Sequence, residues 1–100
     1  MTEIPPDVLL YIERREQTLG VVRQLLATII NYTGDPADID PDAGLFGTGL
    51  GLDSLDAMEV LVALDMDMGI KLEGDDPIRM GLRSVNGVVD VIMRARGELE

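Results

Sequence analysis

One hydroxyl in this chain is placed for chemistry. Ser54 follows Asp53 where a loop crowded with Asp, Gly and Pro gives way to an apolar, acid-striped segment, Ser54 to Met68. A serine in the first turn of a helix stands among backbone N–H groups that lack intrahelical partners, at the positive end of the helix dipole. Such surroundings favour a phosphate. The other reactive groups are few. The 100 residues include no cysteine and no histidine, which removes disulfides, thiolate metal sites and the commonest general base and metal ligand. A hydrolase built on Ser54 would need a base, and nothing in the spacing ties Lys71, the only lysine, to that serine.

The net charge of −11 is unevenly placed. Residues 34–76 carry twelve acids and one base, whereas the segments on either side nearly balance. An evenly solvated acidic surface would not concentrate its charge around one serine. The sign argues against nucleic acid and for basic partners met through electrostatic steering. Asp38, Asp40 and Asp42 invite comparison with a calcium loop. The sixth position would then be Ala43 and the twelfth Gly49, so both diagnostic positions fail. Local Asx-type turns are the expected use of these acids.

Several elements must position Ser54. Pro5-Pro6-Asp7 suits a helix entry, and Val8, Ile12, Leu19, Val22, Leu26, Ile29 and Ile30 recur on one face to about Tyr32, with Thr33-Gly34 as the stop. Arg15 on the apolar stripe and Gly20 in the interior weaken the reading of one straight rod. Residues 34–53 read as a long functional loop pinned by Ile39, Leu45, Phe46, Leu50 and Leu52. Asp53 is the expected N-cap of the next helix, with Asp56 completing a variant capping box.

On that helix Ala57, Val60, Leu61, Leu64 and Met68 share a core face. Asp56, Glu59, Ala63 and Asp67 run down another, and Leu55, Met58, Val62 and Met66 lie between. An acidic stripe beside an apolar edge that the core does not need is the pattern of a partner-docking helix. Gly69 ends the helix, Ile70 to Glu73 form a short extended link, and Gly74 to Pro77 introduce a brief helix from Ile78 to about Met80. Ser84 caps a final helix whose Val85, Val88, Val89 and Ile92 face the core.

The sum is an all-α fold: a small four-helix bundle of three main helices and a short third, with a long loop between helices one and two. It forms a single domain over residues 1–100. Residues 18–93 are its core bundle, and residues 1–17 are an N-terminal extension joined to a lengthened first helix and projecting beyond the bundle. Pro5 and Pro6 after Glu3 give no signal-peptide pattern, and no apolar run reaches the length of a membrane span. A monomeric, cytoplasmic protein without membrane insertion is expected.

At Gly51-Leu52-Asp53-Ser54-Leu55-Asp56 the chain resembles the acyl carrier proteins, whose signature is an Asp-Ser-Leu tripeptide opening the second helix. The likeness runs from about Leu19 to Ile92. It implies a carrier and not an enzyme, with 4′-phosphopantetheine attached covalently to Ser54 by a phosphopantetheinyl transferase and cargo held as a thioester on the arm's thiol. It also implies that Asp53, Asp56 and Glu59 meet basic patches on acyl-loading, synthase or acyltransferase enzymes, with Leu55, Met58 and Val62 as apolar contacts beside them; Asp67, further down the acidic stripe, is expected to join that partner face. Phe46, Leu64, Met68, Ile78 and Val88 would shelter the cargo.

Asp65-Met66-Asp67-Met68 stands where typical fatty-acid carriers have a run of Glu, and Glu73 to Arg83 is about two residues longer than expected. A specialised member therefore fits better than the housekeeping one. Two alternatives stay open: an aminoacyl or peptidyl carrier with the same arm, and a helical adaptor that binds a basic partner and carries no arm.

Overall fold

The computed structural model describes residues 4–72 and 82–98. They form three helices, α1 (Pro6–Ile30), α2 (Ser54–Met68) and α3 (Val85–Ala95), with a 3-10 turn at Pro36–Asp38 inside the long loop that the sequence predicts. Among the described residues there is no strand. Isolated bridges pair Gly44 with Ser84 and Phe46 with Leu52. The short helix expected from Ile78 to Met80 lies outside the described residues, so three of the four expected helices are on view. No described helix is long and apolar enough to cross a membrane.

α1 is one continuous helix, and both residues that argued against a single rod have an explanation. Gly20 lies on the exposed outer face, between the buried Thr18 and Val22 that hold the helix to the core. Arg15 reaches α3, where its Nη1 donates to Asp90 Oδ1 at 2.6 Å and its Nη2 to Asn86 Oδ1 at 3.2 Å. Burial pulls the guanidinium pKa down, but the hydrogen bond and charge of Asp90 outweigh it and leave the pKa above its ordinary value. A cation on the apolar stripe is thus a cross-link between helices. α1 stops at Ile30, two residues before the expected end, because Asn31 turns left-handed (φ 53°) and lets Tyr32 N–H reach the Ala27 carbonyl at 2.9 Å.

The core is built where α1 packs against α3 and α2. Val22 and Leu26 from α1, Val60 and Leu64 from α2, and Val85, Val88, Val89, Ile92 and Met93 from α3 are fully buried. Leu45 and Leu52 join them from the loop. Each such side chain contributes roughly 1.5–3 kcal/mol on burial, so the two leucines hold the loop to the bundle on either side of the glycine-rich turn. Gly69 closes α2 in the left-handed region (φ 66°), and the following Ile70 N–H bonds to the Leu64 carbonyl at 2.9 Å while its side chain enters the core.

Candidate functional site

Ser54 is the first residue of α2, and it is exposed. Its position is set from both sides. Ahead of it, Leu45 N–H bonds to the Arg83 carbonyl at 3.0 Å, Leu50 N–H to the Gly44 carbonyl at 2.8 Å and Leu52 N–H to the Leu45 carbonyl at 2.8 Å. These bonds fold residues 44–52 back on themselves. The crossing is so close that a Cβ at Gly49 would overlap the Gly44 carbonyl, so only glycine fits there.

Behind the serine, the Asp53 carboxylate accepts the Asp56 N–H at 2.8 Å, and the Asp56 carboxylate accepts the Asp53 N–H at 3.1 Å. This is a complete capping box with Asp in place of the usual Glu or Gln. The cap consumes the third amide of the helix and leaves the first-turn amides of Ser54 and Leu55 without intrahelical partners.

A phosphate ester on Ser54 fits this arrangement. The hydroxyl is open to solvent, the free amides and the helix dipole offset one negative charge, and the two nearest carboxylates are engaged by the cap amides. The upstream acids serve the loop. Asp35 accepts from Ala37 N–H at 3.0 Å and Asp40 from Asp42 N–H at 2.8 Å, while Asp42 accepts from the Asn86 side chain at 2.8 Å. Of Asp38, Asp40 and Asp42, from which local turns are expected, Asp40 makes one and Asp42 instead ties the loop to α3, while Asp35 makes a further turn of the same kind.

Along α2 the expected core face is buried or partly buried, and the opposite edge is bare. Leu55 is 72% exposed, Met58 56%, Val62 50% and Met66 79%, values unlike those of any core side chain. Together with Glu59, Ala63 and Asp67 they line a shallow groove. Asp53, Leu55, Met58, Glu59, Val62 and Asp67 are exposed and Asp56 is partly so. The sequence reading missed Ile29, the groove's wall on α1. Ile29 continues the apolar stripe of α1, and its dual place became visible only once α2 lay beside it. Of the residues expected to shelter cargo, Leu64 and Val88 are sealed in the core with Phe46 and Met68 packed against it, and Ile78 lies outside the described residues.

The helical bundle thus presents an exposed serine at a helix start, next to an acid-rimmed apolar groove. The family model for the phosphopantetheine attachment site matches residues 20–92, and the chain belongs to that family. Similar proteins bear the same stamp. An acyl carrier protein of Solidesulfovibrio magneticus is 28% identical over 81 residues, spanning 80% of this chain and 100% of the relative. Acyl carrier protein 2, mitochondrial, of Arabidopsis thaliana is 33% identical over 73 residues, spanning 72% of this chain and 56% of the relative. No solved structure matches the chain. Proteins of this family are carriers with covalently bound 4′-phosphopantetheine, and they interact with a phosphopantetheinyl transferase and with synthase enzymes.

Proposed function

We propose that Ser54 is the attachment residue and that the chain carries acyl groups for partner enzymes of fatty-acid, lipid or polyketide-type synthesis. One observation carries the reading: Ser54 is exposed at the first position of α2, where the loop and the cap hold its backbone in place. The arm, once attached, supplies a terminal thiol on which an acyl group rides as a thioester, which suits a chain with no cysteine of its own.

The chain's residues supply the rest. Leu45 and Leu52 anchor the approach, Asp53 and Asp56 hold the first turn, and the free Ser54 and Leu55 amides would be the donors available to an ester phosphate there. Asp53, Asp56, Glu59 and Asp67 meet a basic surface on the partner, with Leu55, Met58 and Val62 entering an apolar patch beside it. Met66, exposed and one turn beyond Val62, lengthens that apolar contact and favours a specialised set of partners. The cytoplasmic location expected from the sequence belongs to this proposal, since the Arabidopsis relative is mitochondrial by name.

The test is to incubate the apo protein with coenzyme A and a broad-specificity phosphopantetheinyl transferase and weigh it. One added arm, absent in Ser54→Ala, supports the reading. An unchanged mass under conditions that modify a control carrier overturns it. Thioesters trapped on protein from its native host and identified by mass spectrometry separate an acyl from an aminoacyl cargo.

A further inference from the structure

With no cysteine in the chain, methionine supplies all of the polypeptide's own sulfur, and the structure sorts the described thioethers sharply. Met93 is sealed in the core at 0% exposure and Met68 packs against that core, whereas Met58 is 56% exposed and Met66 79%. The two bare methionines lie eight residues apart on α2, about 12 Å along its axis, one turn to either side of Val62. Both line the groove that Ile29 walls, beside Glu59 and Asp67. Leu55 and Val62 build the same edge without sulfur. A thioether is soft and adaptable, which suits an edge that meets more than one partner. Of the four side chains on this edge, only the two methionines are readily turned polar by an oxidant.

We propose that Met58 and Met66 are a reversible oxidation site that switches the docking edge of α2 off. The proposal rests on the reading of that edge as the surface which partner enzymes meet. The oxidant is hydrogen peroxide. A lone pair on the thioether sulfur attacks one peroxide oxygen, the O–O bond breaks as the S–O bond forms, and the departing oxygen leaves as water with both protons. Sulfur loses the two electrons that the peroxide gains, so one thioether and one peroxide give one sulfoxide and one water. Methionine sulfoxide reductases run the return: two thiols become a disulfide, and the sulfoxide oxygen leaves as water.

Position decides the consequence. A sulfoxide at Met58 or Met66 stays in water while the chain is free, so the bundle keeps its packing. On docking it is carried into an apolar patch of the partner, where it loses its hydration. The acidic side chains beside it in the groove, Glu59 and Asp67, only accept hydrogen bonds when ionised and so offer the sulfoxide oxygen no donor. Oxidation of Met93 would instead unpack the core, and burial shields that sulfur.

The test treats the full-length apo chain with a graded series of hydrogen peroxide and removes the excess with catalase. Each sample is read for oxidised positions by peptide mass spectrometry, for helical circular dichroism, and for kcat/KM of arm attachment. Met58 and Met66 should oxidise about tenfold faster than Met93 or more, with the helical signal retained and kcat/KM lowered about tenfold. Methionine sulfoxide reductases specific for each sulfoxide epimer, supplied with dithiothreitol, should restore the untreated rate. The double variant Met58→Leu with Met66→Leu should show the same rate after peroxide as before it. Met93 oxidising as fast as Met58 and Met66 overturns the site. A rate that peroxide leaves unchanged overturns the switch, as does a loss that the double variant shares or that the reductases fail to reverse. An untreated chain that takes no arm is a separate result, which overturns the carrier reading and the switch with it.

Discussion

Replacing Asp53 separates two roles that the sequence places on one residue. As N-cap it accepts the Asp56 N–H at 2.8 Å, and its own N–H is held by the Asp56 carboxylate at 3.1 Å. Asp53→Ala removes the first bond outright and leaves the reciprocal one without its anchor. Losing an N-cap of this type costs about 0.5–2 kcal/mol, and about 1 kcal/mol lowers the Tm of a domain of this size by roughly 4–8 °C. Asn caps as well as Asp, so Asp53→Asn should melt within about 2 °C of the wild type, a shift well under the one a lost cap gives.

The two variants should behave differently with the transferase. Both lose a charge from the docking surface, so both should show a lower kcat/KM for attachment of the arm, with Asp53→Ala the slower because its first turn, and Ser54 with it, is no longer fixed. Thermal melts and a coenzyme A mass-shift time course read the two roles apart. If Asp53→Ala melts with the wild type, the cap contributes nothing and the account of how Ser54 is held is wrong. If Asp53→Asn is modified at the wild-type rate, the charge plays no part in docking.

Three further variants probe the frame around the site. Reversing Asp56 and Glu59 together to Lys should slow attachment of the arm at least tenfold while helical circular dichroism is retained; unchanged kinetics would reject the stripe as a docking face. Gly20→Ala should raise Tm by a few degrees, since nothing lies within 4 Å of the added Cβ and a helix interior gains about 0.5–1 kcal/mol from the change. Gly49→Ala should lower stability by about 1–3 kcal/mol, because the new Cβ meets the Gly44 backbone and the crossing must open. It should also slow modification of Ser54 at temperatures where the bundle stays folded, and a wild-type rate there would show that the crossing does not position the serine.

What could be read in advance divides along a physical line. Ser84 as a cap, Asp53 with Asp56, and the buried valines of α3 follow from side chains a few residues apart, where helix geometry fixes the neighbours. The core face and the bare edge of α2 were likewise legible from spacing alone. Arg15 was not, because its partners lie 71 and 75 residues away, and a cation on an apolar stripe gives no sign of a carboxylate across the interface. Nor was the crossing at Gly44 and Gly49, where the constraint is backbone against backbone and leaves only the presence of glycine as a trace. Ile29 as a groove wall belongs with these, since the groove exists only between two helices.

The charge around the bare edge of α2 decides which partners can use it, and salt tests this. α2 carries Asp56, Glu59, Asp65 and Asp67 with no base, so two copies meeting through it would crowd eight carboxylates together, while a basic partner would neutralise them. Its apolar edge is thereby reserved for partners of opposite charge, by repulsion of the wrong one as much as by attraction of the right one. The Debye length falls from about 10 Å at 0.1 M salt to about 3 Å at 1 M, so kcat/KM for arm attachment should drop steeply between those conditions as steering is lost. A rate that holds unchanged at 1 M salt would refute charge as the basis of docking on α2.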